Sequence, residues 1–262
     1  MEKDILQTII AHKQTEITAQ KEIISLKQLA SQLDVPSEGI SMKAALSASP
    51  YGVIAEFKRR SPSKGWIKKD ADARVIPASY EENGASALSI LTDETFFGGT
   101  LKDIRAARPH VTLPILRKDF VISEYQLYQA KLVGADAILL IAAALTPQQC
   151  ITLARSAHEL KLEVLLEIHG EPELSHINEY IDMVGVNNRN LGTFHTDVEN
   201  SFRLAEKLPK DFLLVSESGI SQPETVKNLR KSGFKGFLMG EAFIKTPQPG
   251  MALSHFINEL KA

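Results

Sequence analysis

Five short segments carry apolar residues that run into carboxylates, amines or amides. They are VIAEFK at Val53–Lys58, PILRKDF at Pro114–Phe120, EVLLEI at Glu163–Ile168, MVGVNNRNL at Met183–Leu191 and LLVSESG at Leu213–Gly219. Side chains two apart share one face of a strand. That parity groups Ile54, Glu56 and Lys58, then Leu116, Lys118 and Phe120, then Leu165 and Glu167. It also groups Gly185, Asn187 and Arg189, and Leu213, Val215 and Glu217. Turned inward, these faces would bring three acids, two lysines, an amide and an arginine into one cavity. An ammonium can protonate or stabilise oxygen that gains negative charge, and a carboxylate can receive a proton, so the set suits acid–base chemistry. Each residue taken alone reads more readily as an exposed strand-end charge. Repetition on one rim is what favours an active site.

A rim of that kind needs elements that deliver distant residues to one mouth. From Val53 onward apolar strands alternate with amphipathic helices, separated by Gly, Asp, Asn and Pro, the signature of parallel βαβ units. Eight strands are predicted to start near Val53, Ala87, Pro114, Ala137, Glu163, Met183, Leu213 and Gly236. The segments NGASALSI, VGADAILLI and SGFKGFLMG each place Gly between a helix and a strand, where a left-handed residue ends the helix. The fold expected is α/β, a (β/α)8 TIM barrel with an N-terminal helical extension. A flavodoxin-like open sheet would use the same units, but eight strands with rim residues on most of them favour closure. Residues 1–262 read as a single barrel domain, with residues 1–48 as one or two helices that act as a lid.

Two glycine-containing turns follow the last two strands, SESGI at Ser216–Ile220 and FLMGEAF at Phe237–Phe243. At these positions of a barrel, backbone N–H groups can hold a phosphate dianion, which nominates Ser218, Gly219, Gly240 and Glu241. The stretch KRRSPSKGWIKKD at Lys58–Asp70 is polar and rich in Pro and Gly, so it is expected to lack regular structure and to form a mobile basic loop over the phosphate end. Trp66 within it either caps the site or packs the loop down.

At 262 residues the chain suits one such barrel, typically ~250 residues. Its 30 basic and 32 acidic residues nearly cancel, without the electrostatic footprint of a nucleic-acid binder, so a small-molecule substrate is expected. A single cysteine, Cys150, forms no internal disulfide. The polar N-terminus has no secretory pattern, and no apolar run approaches the ~20 residues that span a bilayer, which suggests a cytoplasmic protein without membrane partners. The seven histidines are scattered without ligand spacing, so metal catalysis is a poor fit. His169 reads as an isolated residue.

At IAEFKRRSPSKG, LRKDF, LLEI, GVNNRNL and SESGI the sequence resembles the indole-3-glycerol-phosphate synthase family over nearly its whole length. The resemblance extends through LTDETFFGG at Leu91–Gly99 and the final LMGEAF. It implies closure of the indole ring of 1-(2-carboxyphenylamino)-1-deoxyribulose 5-phosphate, with loss of carbon dioxide and water, in tryptophan biosynthesis. No metal or organic cofactor is implied. Lys118 matches the general acid toward the substrate carbonyl, and Glu167 the acid that assists deprotonation and dehydration. Glu56 and Lys58 match the first-strand catalytic pair. Asn187, Arg189 and Glu217 match polar residues that position the sugar, and Ser61 is a further substrate contact. Phe97, Phe120, Leu139 and Leu191 match apolar positions suited to clasp the anthranilate ring. Some relatives carry Gly-Ser where this chain has Gly240-Glu241, so the position is assigned through its main chain. A monomer or weak homo-oligomer is expected. A phosphoribosylanthranilate isomerase would share the phosphate turns but needs one acid and one base rather than a lysine-rich rim. A barrel that binds a phosphorylated metabolite without turnover is the alternative outside enzymes.

Overall fold

Val, Ile and Leu fill both faces of the predicted strands, as a parallel sheet covered on both sides requires. The computed structural model describes residues 5–33, 38–190, 192 and 195–262. Among these, eight parallel strands close into a barrel: β1 Val53–Phe57, β2 Ala87–Leu91, β3 Ile115–Lys118, β4 Ala137–Ile141, β5 Glu163–Ile168, β6 Met183–Asn187, β7 Leu213–Glu217 and β8 Phe234–Met239. Sequential strands are neighbours, and β1 pairs with β8 to close the ring. The last strand begins two residues earlier than predicted, with a register shift between Phe234 and Gly236. The strands of the barrel separate two apolar layers. One fills the space between strands and helices, and the other fills the barrel interior with Ile54, Leu116, Leu165, Met183 and Val215. The interior set is the predicted parity.

Local chemistry explains the helix boundaries. The helix Pro147–Glu159 starts at Thr146, whose hydroxyl accepts from the Gln149 backbone while Gln149 answers the Thr146 N–H, with Pro in its first turn. Gly84, Gly134 and Gly233 end their helices with φ of 95°, 89° and 100°, as the repeated exits predicted.

The extension differs from a simple lid. Among the described residues it forms α1 Ile5–Ile23, α2 Leu26–Ala30 and α3 Met42–Ala48. Leu6 and Ile9 of α1 join the interior layer at the carboxyl mouth of the strands and line the cavity described below. Met42 and Leu46 of α3 are fully buried against the same layer from the opposite end. There Glu163, the first residue of β5, accepts from the Ser41 hydroxyl at 2.5 Å and the Lys43 backbone at 2.9 Å. One part of the extension covers the mouth and the other plugs the floor.

The loop after β1 also departs from expectation, because Arg60–Ser61 and Gly65–Trp66 form a short antiparallel ribbon. Gly65 adopts φ +65° and Lys64 donates its N–H to Ser61 O, so the polar run closes a turn. Arg59 anchors the base of the loop with paired bonds of 2.8 Å to Asp103. Trp66 lies against Gly98 and between Arg60 and Lys69, each 5.7 Å from its ring, so it packs the loop down. No helix among the described residues is long and apolar enough to cross a membrane.

Candidate active site

The inward parity of the strands opens at the carboxyl mouth into a cavity of about 410 Å³. Glu56, Lys58, Ser61, Phe97, Lys118, Phe120, Leu139, Glu167, Asn187, Arg189 and Glu217 all line it, as do Ser218, Gly219, Gly240 and Glu241. Leu191 lies outside the described residues. The sequence reading missed Ile141 and the α1 residues Ile5, Leu6 and Ile9, which complete one wall. Helical spacing of Ile5 and Ile9 marked an apolar face, but not what it would cover.

The cavity has two unlike ends. At one, Phe97 and Phe120 stand with ring centroids 6.0 Å apart and an interplanar angle of 37°. They pack with Leu139, Ile141, Leu6 and Ile9 in the interior layer, giving an apolar lobe. At the other, Ser218 and Gly219 hold successive left-handed conformations, φ 68° and 77°, a strained turn of a kind that concentrates at ligand sites. Gly240 leads into the short helix Glu241–Ile244, whose first N–H groups have no intrahelical acceptor. The Glu241 carboxylate is engaged by Lys64 of the β1 loop at 2.5 Å. Lys64 thereby offsets the negative charge introduced beside this turn.

Between the ends lies the titratable cluster. Lys118 Nζ stands 3.0 Å from Glu167 Oε2 and 3.5 Å from Glu217 Oε2, and Lys58 Nζ stands 2.6 Å from Glu56 Oε1. Two glycines make room for it. A Cβ on Gly185 would collide with the Glu217 carboxylate, and one on Gly240 with that of Glu56. Burial alone would favour neutral Lys118, but Glu167, Glu217 and Glu56 outweigh it and raise its pKa, so it is an ammonium. Burial likewise would raise Glu167, yet Lys118 and then His169 hold it below the usual carboxylate range. Glu217 moves the other way. Its burial prevails over Lys118, and the charges of Glu167 and Glu56 add to it, so Glu217 keeps a proton well above the usual carboxylate range. The cluster thus presents a carboxylate, an ammonium and a carboxylic acid side by side.

His169, read from sequence as an isolated residue, lies beside this cluster. Its Nε2 lies 3.4 Å from Glu167 Oε1, and the i, i+2 spacing from Glu167 was the signal that could have found it. Cys150 is buried behind the barrel beside Asn178 and the His176 carbonyl, and burial pushes its thiol up to about 11. Among the described residues no group of three or more His, Cys, Asp or Glu side chains is arranged to hold a metal ion.

A mutant tryptophan synthase alpha-subunit from the hyperthermophile Pyrococcus furiosus superposes with a TM-score of 0.61 over 80% of this chain and 97% of that one. At 16% identity this likeness supports the barrel fold alone. Residues 6–256 match the family model described as indole-3-glycerol phosphate synthase. An indole-3-glycerol phosphate synthase of Bacteroides thetaiotaomicron is 64% identical over 259 residues, covering 99% of this chain and 100% of that protein. One from Polaromonas naphthalenivorans is 43% identical, covering 98% and 99%. A match of this extent at both levels makes the chain a member of the indole-3-glycerol phosphate synthase family.

Proposed function

We propose that the chain closes the indole ring of 1-(2-carboxyphenylamino)-1-deoxyribulose 5-phosphate, releasing carbon dioxide and water to give indole-3-glycerol phosphate. The observation that carries the residue roles is the Lys118 ammonium, held between Glu167 and Glu217 with an apolar lobe on one side and two anion-suited turns on the other. The anthranilate ring fits against Phe97, Phe120 and Leu139. The phosphate fits the main chain at Ser218–Gly219 and Gly240–Glu241, with Ser61 beside it, and Asn187 and Arg189 face the sugar hydroxyls.

In this pose the ring carbon that bears the carboxylate attacks the ketone carbon, forming the new carbon–carbon bond. Lys118 stabilises the oxygen as it turns into an alkoxide and gives it a proton, a transfer that is downhill once an alkoxide has formed. The carbon–carboxylate bond then breaks, carbon dioxide leaves, and its electron pair restores the aromatic ring. An apolar lobe favours this step because the carboxylate gains little from water there. The nitrogen lone pair next expels the hydroxyl, which departs as water with a proton from Lys58, oriented by Glu56. Glu167 takes the remaining ring-side proton to complete the indole.

Product formation by the purified chain with this substrate, followed through the indole absorbance, tests the reading. Turnover that inorganic phosphate inhibits competitively is the expected result. Absence of product overturns the activity, and purely noncompetitive inhibition overturns the placement of the phosphate.

A further inference from the structure

Glu167 is held by Lys118, Asn187 and Glu217 of the machinery just described, and also by His169, which lies outside it. Its Oε2 faces Lys118 Nζ at 3.0 Å and its Oε1 faces His169 Nε2 at 3.4 Å. His169 follows Glu167 by two residues, so the alternation of the strand carries its ring to the same side. The imidazole is 16% exposed and stands behind Glu167, outside the residues that line the cavity. Glu173, from the 3-10 turn Glu171–His176, approaches from the far side. Its Oε2 accepts the His169 backbone N–H at 2.6 Å and lies 3.5 Å from His169 Nδ1. Asn200 donates to the His169 carbonyl at 3.1 Å and to that of Asn187 at 3.4 Å, which ties the segment to β6.

We propose that His169 is a positioning residue for the ring closure: as an imidazolium between Glu167 and Glu173, it fixes the rotation of the Glu167 carboxylate so that Oε2 stays turned to Lys118 and the substrate. A carboxylate held by a flexible lysine and one amide keeps some freedom about its last torsion, and a second cation at its other oxygen restricts that motion further. At 3.4 and 3.5 Å the contacts of the ring nitrogens are long, so they act chiefly between charges and are strongest while the ring is protonated. The groups facing the ring are Glu167 on its own strand, Glu173 on the 3-10 turn and Glu217 on β7, with Lys118 beyond Glu167. Burial opposes the imidazolium, but Glu173, Glu167 and Glu217 outweigh it and raise the pKa above that of a free histidine. Rising pH therefore weakens the hold on Glu167 Oε1 at a point above the ordinary imidazole range.

The inference rests on the role given to Glu167 above, and three variants separate the two. In His169→Gln, kcat should fall about tenfold with KM within about twofold, and the kcat–pH profile should lose one inflection on its alkaline side. Glu173→Gln touches neither cavity nor substrate. It should leave kcat on the acid side of the profile unchanged and move the same inflection to lower pH. Should both variants keep the parent's pH profile, His169 is merely structural. If His169→Gln does not fold, the inflection of Glu173→Gln decides alone, with an unmoved one overturning the proposal. Glu167→Gln with parental turnover would instead remove the role of Glu167 itself. An inactive Glu167→Gln beside unmoved profiles overturns only the role of His169.

Discussion

Lys118 and Lys13 are each set among three carboxylates, yet Lys118 is half-buried and opens onto a cavity while Lys13 is buried and closes a joint. Lys118 meets Glu167 and Glu217 at 3.0 and 3.5 Å, with Glu56 nearby. Lys13 of α1 meets Glu16, Asp93 and Asp119 at 2.9, 3.0 and 3.1 Å, and so pins the extension to the loops after β2 and β3. The lysine side chains differ in access, 15% against 1% exposed. They differ more in how completely their acids are partnered. Asp119 gains a second cation, Arg117 at 2.8 Å, and a hydroxyl from Thr92 at 2.7 Å. Although burial opposes it, Arg117 and Lys13 hold Asp119 below the usual carboxylate range. Glu217 has no such support, and one of its oxygens lacks any hydrogen-bond partner. A buried acid left partly unpartnered beside an open lysine keeps a proton to move, whereas an acid engaged at both oxygens, as Asp119 is, makes a fastener.

Breaking each lysine should separate the two most sharply. Lys118→Ala should lower kcat by about 10²- to 10⁴-fold with KM within about tenfold, since it removes a transition-state donor. Its stability should change less, because the open cavity lets water or protons reach Glu167 and Glu217. Lys13→Ala should lose about 3–5 kcal/mol in urea unfolding, the cost of stranding buried carboxylates, while folded enzyme keeps kcat within a few-fold. A Lys13 variant as inactive as Lys118→Ala at unchanged midpoint would erase the distinction. Stability against pH gives a finer test. Native Glu217 keeps a proton that the unfolded chain has already released, so stability falls as pH rises from the usual carboxylate range through its elevated pKa. Glu217→Gln should remove that slope, about 1.4 kcal/mol per pH unit within the window. Asp119 tilts the opposite way. Its contribution is present above the unfolded pKa of about 3.9 and is lost as pH falls through its lower native value, so Asp119→Asn should flatten the acid limb. Equal slopes in parent and both variants would refute the charge assignment.

These contrasts also mark where the sequence was legible. Strand positions and inward parity were readable because a parallel barrel buries both faces and alternates strictly, so Ile54, Glu56, Leu165, Glu167, Val215 and Glu217 announced their side. The glycine exits were readable because a left-handed residue leaves few choices. Lys13 was invisible, since a lysine on a helix is ordinarily solvated and nothing local reveals the aspartates that receive it. The same holds for α3, whose apolar face could serve either end of the barrel until its N-terminus met Glu163. The ribbon at Arg60–Trp66 escaped because its pairing is short and depends on packing against Gly98. His169 escaped because alternation was not carried past the last strand residue. The protonated state of Glu217 is legible only where Glu167, Glu56 and Lys118 are placed together.

The smallest expected effect tests whether the partnering of an acid also governs the phosphate end. Glu241 lies beside a turn suited to an anion, and its carboxylate is paired with Lys64, which is half exposed. Exposed pairs contribute little to stability, roughly 0–1 kcal/mol, so the unfolding midpoint of Lys64→Ala should barely move. Affinity is the more sensitive quantity. Without Lys64 the glutamate faces the incoming phosphate less compensated, and KM should rise about two- to threefold at low ionic strength, with kcat unchanged. Because the site opens to solvent, that rise should fade as salt approaches ~1 M, where the Debye length is about 3 Å. Glu241→Gln should abolish the penalty, so that adding Lys64→Ala to it leaves KM unaltered. A KM rise that persists in that double variant would mean that Lys64 contacts the substrate itself, making the β1 loop part of the grip on phosphate rather than a counterion to its neighbour.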